Sequence, residues 1–190
     1  MKKGLFFTVL TAAAVLLTGC STTAPVPVQA TQSALPGEMQ KISAGIAEAG
    51  GLAVVGTGES KSPELALDKA KINGRKELAR MLNTRIEVLA KAFSEETGIP
   101  YDSLFLSGFN NAAGIITKQQ IVGSLAQTLK YEPSGDTFTA YAVMVLDPKA
   151  IADQLAKEKE LYDRLRPTNA FGELNKEIKA YEAFKAAQGM

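Results

Sequence analysis

The stretch LAVVGTGESKSPELALDKAKING, residues 52–74, decides the fold because it joins an apolar strand to the start of an amphipathic helix. Its first four residues are apolar and suit a β-strand, and the Gly56-Thr57-Gly58 that follows is expected to stop the strand. Ser62-Pro63-Glu64 then forms a helix start, with a hydroxyl cap, a first-turn proline and an acid near the helix dipole. The first unit of the domain is therefore a strand followed by a helix.

The predicted helix covers residues 63–97 and carries one long buried stripe. Apolar or small residues recur at spacings of three and four: Ala66, Ala70, Gly74, Leu78, Leu82, Ile86, Leu89 and Phe93. At 1.5 Å per residue this helix would be about 52 Å long. Such a helix can cover a sheet and still project beyond it.

Further along the chain, residues 119–131 and 137–146 predict a β-hairpin around the turn residues 132–136. In the first strand one face carries Ile121, Leu125, Leu129 and Tyr131. In the second strand one face carries Phe138, Ala140, Ala142, Met144 and Leu146, and the other carries Tyr141, Val143 and Val145. Because an antiparallel strand with one wet face should alternate with polar residues, something is expected to cover the second face.

Helices are predicted on both sides of these strands. A weak helix covers residues 38–49, a second begins at Asp147-Pro148 and ends near residue 166, and a third covers residues 170–188. The pattern leaves open whether the last two fold onto their own sheet or dock on a neighbouring subunit. The predicted fold class is α+β: a small three-stranded sheet in β-α-β-β order, one long helix packed on a face, and a helical C-terminal tail.

The N-terminus is typical of an export signal, with Lys2 and Lys3 before an apolar run at residues 5–17. That run is too short to span a bilayer, which takes about 20 residues. It ends in Leu17, Thr18, Gly19 and Cys20, a sequence that resembles the lipobox of bacterial lipoproteins. The resemblance implies a diacylglyceryl group and a further acyl chain on Cys20, and Ser21 in place of Asp implies export to the outer membrane. We expect the domain to face the periplasm, although Ser21 does not determine the side of the membrane. The predicted organisation is residues 1–19 as signal peptide, 20–37 as lipidated flexible tether, 38–150 as the α+β domain and 151–190 as the helical tail.

Composition excludes several classes of function. Outside the signal the chain has 19 basic and 20 acidic residues, so charge gives no reason to expect nucleic acid as a partner. The chain has no histidine, and its single cysteine is the predicted lipidation site, which leaves neither metal ligation by histidine nor thiol chemistry in the fold. Apart from the covalent lipid, no cofactor or metal is expected.

Two features could carry chemistry, but each has a simpler interpretation. The Gly56-Thr57-Gly58 segment could suggest a phosphate loop, but Lys61 occupies the position where a dinucleotide loop needs its third glycine, and the P-loop ending is missing. Glu95 with Glu96, or Asp147 with Asp153, could be a carboxylate pair for glycan hydrolysis. The first two are adjacent on a helix and diverge, and Asp147 is better explained as a helix cap. We therefore predict no catalytic residue and no enzyme activity.

The connection at residues 98–114 is too apolar for a freely solvated loop. Tyr101, Leu104, Phe105 and Phe109 either cap the core or contact a partner.

Five elements together resemble the small bacterial lipoproteins of the LPP-twenty type. They are the lipobox, Val54-Val55-Gly56-Thr57-Gly58, an alanine-spaced helix with Ala66, Ala70, Arg75 and Leu78, a glycine-containing strand at Ile121-Val122-Gly123, and Tyr141-Ala142-Val143-Met144-Val145. The likeness covers roughly residues 52–150; Gly74, where alanine is expected, marks either a close approach of the helix to the sheet or a weaker match. The resemblance implies a non-enzymatic envelope protein and, for the flagellar members of the family, a ring or disk under the outer membrane around the motor.

Three hypotheses follow for function. The first is a lipid-anchored scaffold that forms homo-oligomers or binds envelope proteins through the second sheet face, the apolar connection or the tail helices. The second is a monomeric periplasmic binding module with an enclosed cavity for peptidoglycan, lipid or a protein partner. The third is an enzyme, which would need a convergent polar site.

Overall fold

A computed structural model describes residues 33–100 and 104–189 of the chain. The described elements are α1 (Leu35–Glu48), β1 (Leu52–Ser60), α2 (Pro63–Thr97), α3 (Leu104–Ile116), a π-helical turn (Thr117–Ile121), β2 (Ala126–Ser134), β3 (Thr137–Leu146), α4 (Lys149–Leu155), α5 (Lys159–Leu165) and α6 (Asn169–Gln188). The α+β fold class is confirmed, with a three-stranded sheet, a long helix on it and a helical tail. The signal peptide, the lipobox and residues 20–32 of the tether lie outside the described residues. None of the described helices is both long and apolar enough to cross a bilayer.

The sheet is antiparallel, with the strand order β1-β3-β2. Helix α2 lies over β1 and β3, where the sheet surface is made of very small residues. Gly56 pairs with Ala142, and Gly58 pairs with Ala140. A Cβ at Gly56 would lie 2.2 Å from the Ala70 carbonyl oxygen, and one at Gly58 would lie 2.4 Å from that of Ala66. The helix and the strand therefore approach almost backbone to backbone.

This close contact corrects one prediction and confirms another. The Gly56-Thr57-Gly58 segment does not stop the strand, because β1 continues through it to Ser60. The glycines make room for α2 rather than forming a turn or a phosphate loop. The close helix-to-sheet approach suggested for Gly74 is confirmed, since a Cβ there would lie 2.5 Å from Cγ of Met144.

Strand β2 begins later than predicted, at Ala126. Residues 117–121 continue α3 as a π-helical turn that ends at the buried Ile121. The predicted common strand face of Ile121, Leu125 and Leu129 is therefore wrong, and a bulge between Ala126 and Thr128 shifts the register as well. A spacing of four fits both a helix face and a strand face, so periodicity alone could not place the boundary.

The second face of the sheet is covered by the chain itself. Tyr141 and Val143 pack against Met39 and Ile46 of α1 and against Tyr181 of α6 in one buried cluster. The tail therefore folds back on its own sheet, which the sequence pattern had left open. Helix α1, which starts at residue 35 rather than 38, completes the cover.

The single helix predicted from Asp147-Pro148 to residue 166 is instead two helices, α4 and α5. Leu155 and Leu161 are both buried, yet they are six positions apart, a spacing that places them on different sides of a continuous helix. The break at residues 156–158 turns Leu161 and Leu165 back towards the core. Side chains of α4, α5 and α6 belong to the same core cluster as α2 and the sheet.

Candidate functional site

An apolar groove of about 350 Å³ opens between the C-terminal half of α2 and the start of α6. We call it the α2–α6 groove. Its apolar lining comes from three helices: Val88, Leu89, Ala92, Ile151, Ala170 and Leu174. Leu89, Ile151 and Leu174 are buried core residues, whereas Val88 is 52% exposed at the groove mouth. Its volume lies at the small end of the range for ligand sites, about 300–1,000 Å³.

The charged side chains that line this groove already have partners. The Arg85 guanidinium pairs with the Glu177 carboxylate, and each side chain is 35% exposed. The Glu173 carboxylate pairs with the Lys176 amine at 2.6 Å. Since these charges are paired, the groove offers mainly apolar surface and suits an apolar side chain or hydrocarbon group.

Sequence reasoning missed this groove, although part of its signal was visible. Val88 lies on α2 outside the buried stripe and is exposed. A large apolar residue on the solvated side of a helix is the part of the groove that periodicity makes visible. The contribution of Ala170 and Ile151 depends on how the tail folds back, which periodicity does not give.

The predicted contact residues fall in different places. Phe109 is 1% exposed and packs on Phe93, with ring centroids 5.8 Å apart, so it caps the core and is not available to a partner. Phe105 is half-buried, and the Arg164 guanidinium lies 4.4 Å from its ring centroid. Leu104 begins α3, but its side chain lies outside what the structure describes, as does Tyr101. Of the four predicted contacts, Phe105 alone has a described side chain that reaches the surface.

The acids considered for catalysis have structural partners instead. Glu96 accepts hydrogen bonds from the backbone N–H of Asn169 at 2.9 and 3.0 Å, next to the first turn of α6. Asp147 accepts from the backbone N–H of Lys149 at 2.9 Å and pairs with Lys185, and Asp153 pairs with Lys149. Glu95 is exposed beside Glu96 on α2. These contacts tie helix ends together, and no group of three acidic or cysteine side chains suited to a metal ion occurs in the described residues.

Three titratable groups on the second sheet face have shifted pKa values. Burial, together with a hydrogen bond from its hydroxyl to Glu132 at 3.1 Å, raises the pKa of Tyr141. Burial and the charge of Asp147 raise the pKa of Tyr181. The hydrogen bond from its amine to Asp147, at 2.5 Å, raises the pKa of Lys185. The pKa shifts of the two tyrosines therefore follow mainly from burial on this face, and that of Lys185 follows from its hydrogen bond to Asp147.

A second apolar surface lies along the outer strand β2. Eight large apolar side chains are exposed in the described residues, and four of them fall within residues 122–131. We call these four the β2 margin: Val122, Leu125, Leu129 and Tyr131. Leu129 and Tyr131 share the α2 side of the sheet, because they pair with Ala142 and Ala140, but α2 lies over the other two strands. They are therefore left partly uncovered.

Both edges of the sheet are protected against addition of another strand. At the β1 edge, the Lys69 amine and the Asn73 amide of α2 donate to the carbonyls of Glu59 and Thr57, each at 2.8 Å. Strand β2 has the bulge described above and carries Pro133 near its end. Such features block edge-to-edge pairing, so association by strand addition is disfavoured.

No family model, curated protein or solved structure matches the chain. The resemblance to LPP-twenty lipoproteins therefore stays a prediction.

Proposed function

We propose that the chain is an outer-membrane-anchored, non-enzymatic lipoprotein that associates with copies of itself as a structural or assembly component of the cell envelope. Cys20 would carry the lipid, and the domain would face the periplasm. In the flagellar members of the family it resembles, such a component forms a ring or disk around the motor. We propose this as the specific role, and the test is whether a strain that lacks the protein swims.

Of the three contact surfaces suggested by sequence, the tail helices are the ones that line the α2–α6 groove, together with α2. The second sheet face is covered by α1 and α6, and Phe109 of the apolar connection is in the core. The α2–α6 groove is the observation that supports association, because its apolar surface is open and its charged residues are already paired. An exposed side chain from a second copy could fill it and remove both surfaces from water.

The test is the solution mass of residues 21–190, free of lipid, measured by light scattering over a range of concentrations. We expect a defined oligomer. Val88→Glu places a charge at the groove mouth without disturbing the core and should give a monomer. Leu65→Glu is the matched control, since Leu65 is as exposed on the same helix but does not line the groove. A wild-type chain that stays monomeric at every concentration would contradict self-association.

The same groove favours one alternative, a monomeric binding module for an apolar group from a lipid or a protein partner. Its volume and lining fit a short hydrocarbon segment. This alternative predicts a monomer that binds a fluorescent fatty acid, with binding lost in Val88→Glu and kept in Leu65→Glu. An oligomer that excludes the fatty acid would favour the scaffold instead.

A further inference from the structure

The β2 margin is held in an outward orientation by the residues around it. Ile121 is buried, the Ser124 hydroxyl donates to the Ile121 carbonyl at 2.6 Å, and the Arg75 guanidinium donates to the Ser124 carbonyl at 2.6 Å. This fixed segment leaves Leu125 87% exposed. Together with the other three exposed side chains of the margin, Leu125 marks a candidate contact surface.

The chemistry of this surface is uniform. Residues 119–129 contain no charged side chain, and residues 104–131 contain two lysines and no acid. At its far end the Tyr131 ring lies edge-on to Phe138, with centroids 5.9 Å apart, and exposes its remaining surface. Leucine and tyrosine are side chains that settle at a membrane–water interface, and the neighbouring carboxylate of Glu132 faces the other side of the sheet, where it accepts from Tyr141.

The described part of the chain begins next to this strand. The Ser33 hydroxyl donates to the Glu132 carboxylate of β2, and Glu38 of α1 pairs with Lys130 at 2.5 Å. Twelve residues separate Cys20 from Ser33. A chain of that length spans at most about 45 Å. A lipid on Cys20 would therefore hold Ser33, and the part of β2 that it contacts, within that distance of the bilayer surface.

We propose that the β2 margin is a membrane-contact face, which lies on the bilayer that holds the lipid of Cys20. Val122, Leu125 and Leu129 enter the headgroup region, and Tyr131 lies at its boundary. The absence of carboxylates from residues 104–131 avoids repulsion from anionic phospholipids. This inference rests on the lipid anchor of the proposed function and adds to it an orientation of the domain, with β2 towards the membrane.

The chain has no tryptophan, so a single introduced tryptophan reports on one position. Lipidated Leu125→Trp protein is reconstituted in vesicles of phosphatidylethanolamine, phosphatidylglycerol and phosphatidylcholine with brominated acyl chains. We expect at least a twofold loss of emission relative to vesicles without bromine. Ile72→Trp is the matched control, because Ile72 is also exposed but lies on α2, and its emission should not change.

The proposal would be overturned if the two variants lost the same fraction of their emission in brominated vesicles, relative to vesicles without bromine. It would also be overturned by a Leu125→Trp emission that shifts to the blue with protein concentration in the absence of lipid, because a second copy would then occupy the margin.

A missing lipid anchor is detected separately, because the mass of the protein then lacks the lipid on Cys20. In that case the thiol of Cys20 in the mature chain is coupled to a maleimide phospholipid in the same vesicles. Quenching of Leu125→Trp under these conditions would support the membrane-contact face, and its absence would overturn it.

Discussion

The two faces of the central strand β3 are packed in opposite ways. On the α2 side, Ala140 and Ala142 lie beside Gly58 and Gly56 of β1, and helix and strand approach so closely that Gly56 has no room for a methyl group. On the other side, Tyr141 and Val143 are large and meet helices through side chains. The packing of the first face therefore depends on the absence of side chains at Gly56 and Gly58, whereas the packing of the second depends on large side chains that fill the space between the strand and its helices. The two faces should therefore respond differently to substitution.

The largest effect is expected from Gly56→Ala on the α2 face. The added methyl group would lie 2.2 Å from a backbone oxygen of α2, so the helix must move away from the sheet. We expect a loss of about 3 kcal/mol in the free energy of unfolding, measured by urea denaturation. Gly114→Ala is the control, because nothing lies within 4 Å of its Cβ and a helical alanine gains about 0.5–1 kcal/mol over glycine. Equal stability of the two variants would show that the close contact has no energetic role.

On the second face, Met39→Ala should cost about 2–3 kcal/mol, because Met39 is fully buried and its loss leaves a cavity between α1 and the sheet. Met39→Leu should cost less than about 1.5 kcal/mol, since it nearly conserves the volume. This tolerance is the contrast with Gly56, where the smallest possible enlargement is harmful. If Met39→Ala left the midpoint of urea unfolding unchanged, α1 would not cover the sheet in solution.

The same contrast explains what could be predicted from sequence. The apolar residues on both faces of β3 and the long stripe of α2 predicted the fold class, because filled faces leave a signal in the sequence. The role of Gly56 and Gly58 could not be read, since a glycine that admits a helix and one that ends a strand look alike in a single sequence. The π-helical turn that ends at Ile121 was missed because a spacing of four residues fits both a helix face and a strand face. The break before Leu161 was also missed. The α2–α6 groove depends on the fold of the tail, which local pattern does not determine.

A smaller effect is expected from alkaline pH, and it should act on the second face. The raised pKa of Tyr141 means that the folded chain holds this proton more tightly than the unfolded chain does. Its contribution to stability is complete below about pH 10 and is lost as the pH rises through the higher folded-state pKa. Tyr181 and Lys185, whose pKa values are also raised, act in the same direction.

Tyr141→Phe isolates this contribution. At neutral pH it should cost about 1 kcal/mol, because the hydrogen bond to Glu132 is lost. Above about pH 10 the difference from the wild-type chain should shrink, since phenylalanine has no proton to lose. Urea unfolding curves at a series of pH values would measure this convergence. A gap that stays constant or widens with pH would mean that the Tyr141 hydroxyl is not buried against the sheet.

The smallest effect is expected from the ion pair that joins α6 to the end of β3. Lys185 and Asp147 are each about one-third exposed, so solvent screens most of their attraction. Lys185→Met removes the charge and keeps an apolar stem of similar length, and it should cost about 0.5 kcal/mol in low salt and less in 1 M salt. A loss comparable to that of Met39→Ala would mean that charge rather than volume holds α6 in place. The second face of β3 would then depend on one partly exposed ion pair as strongly as the first face depends on the absence of a methyl group at Gly56. Filled volume alone would not explain how α6 is held on the second face.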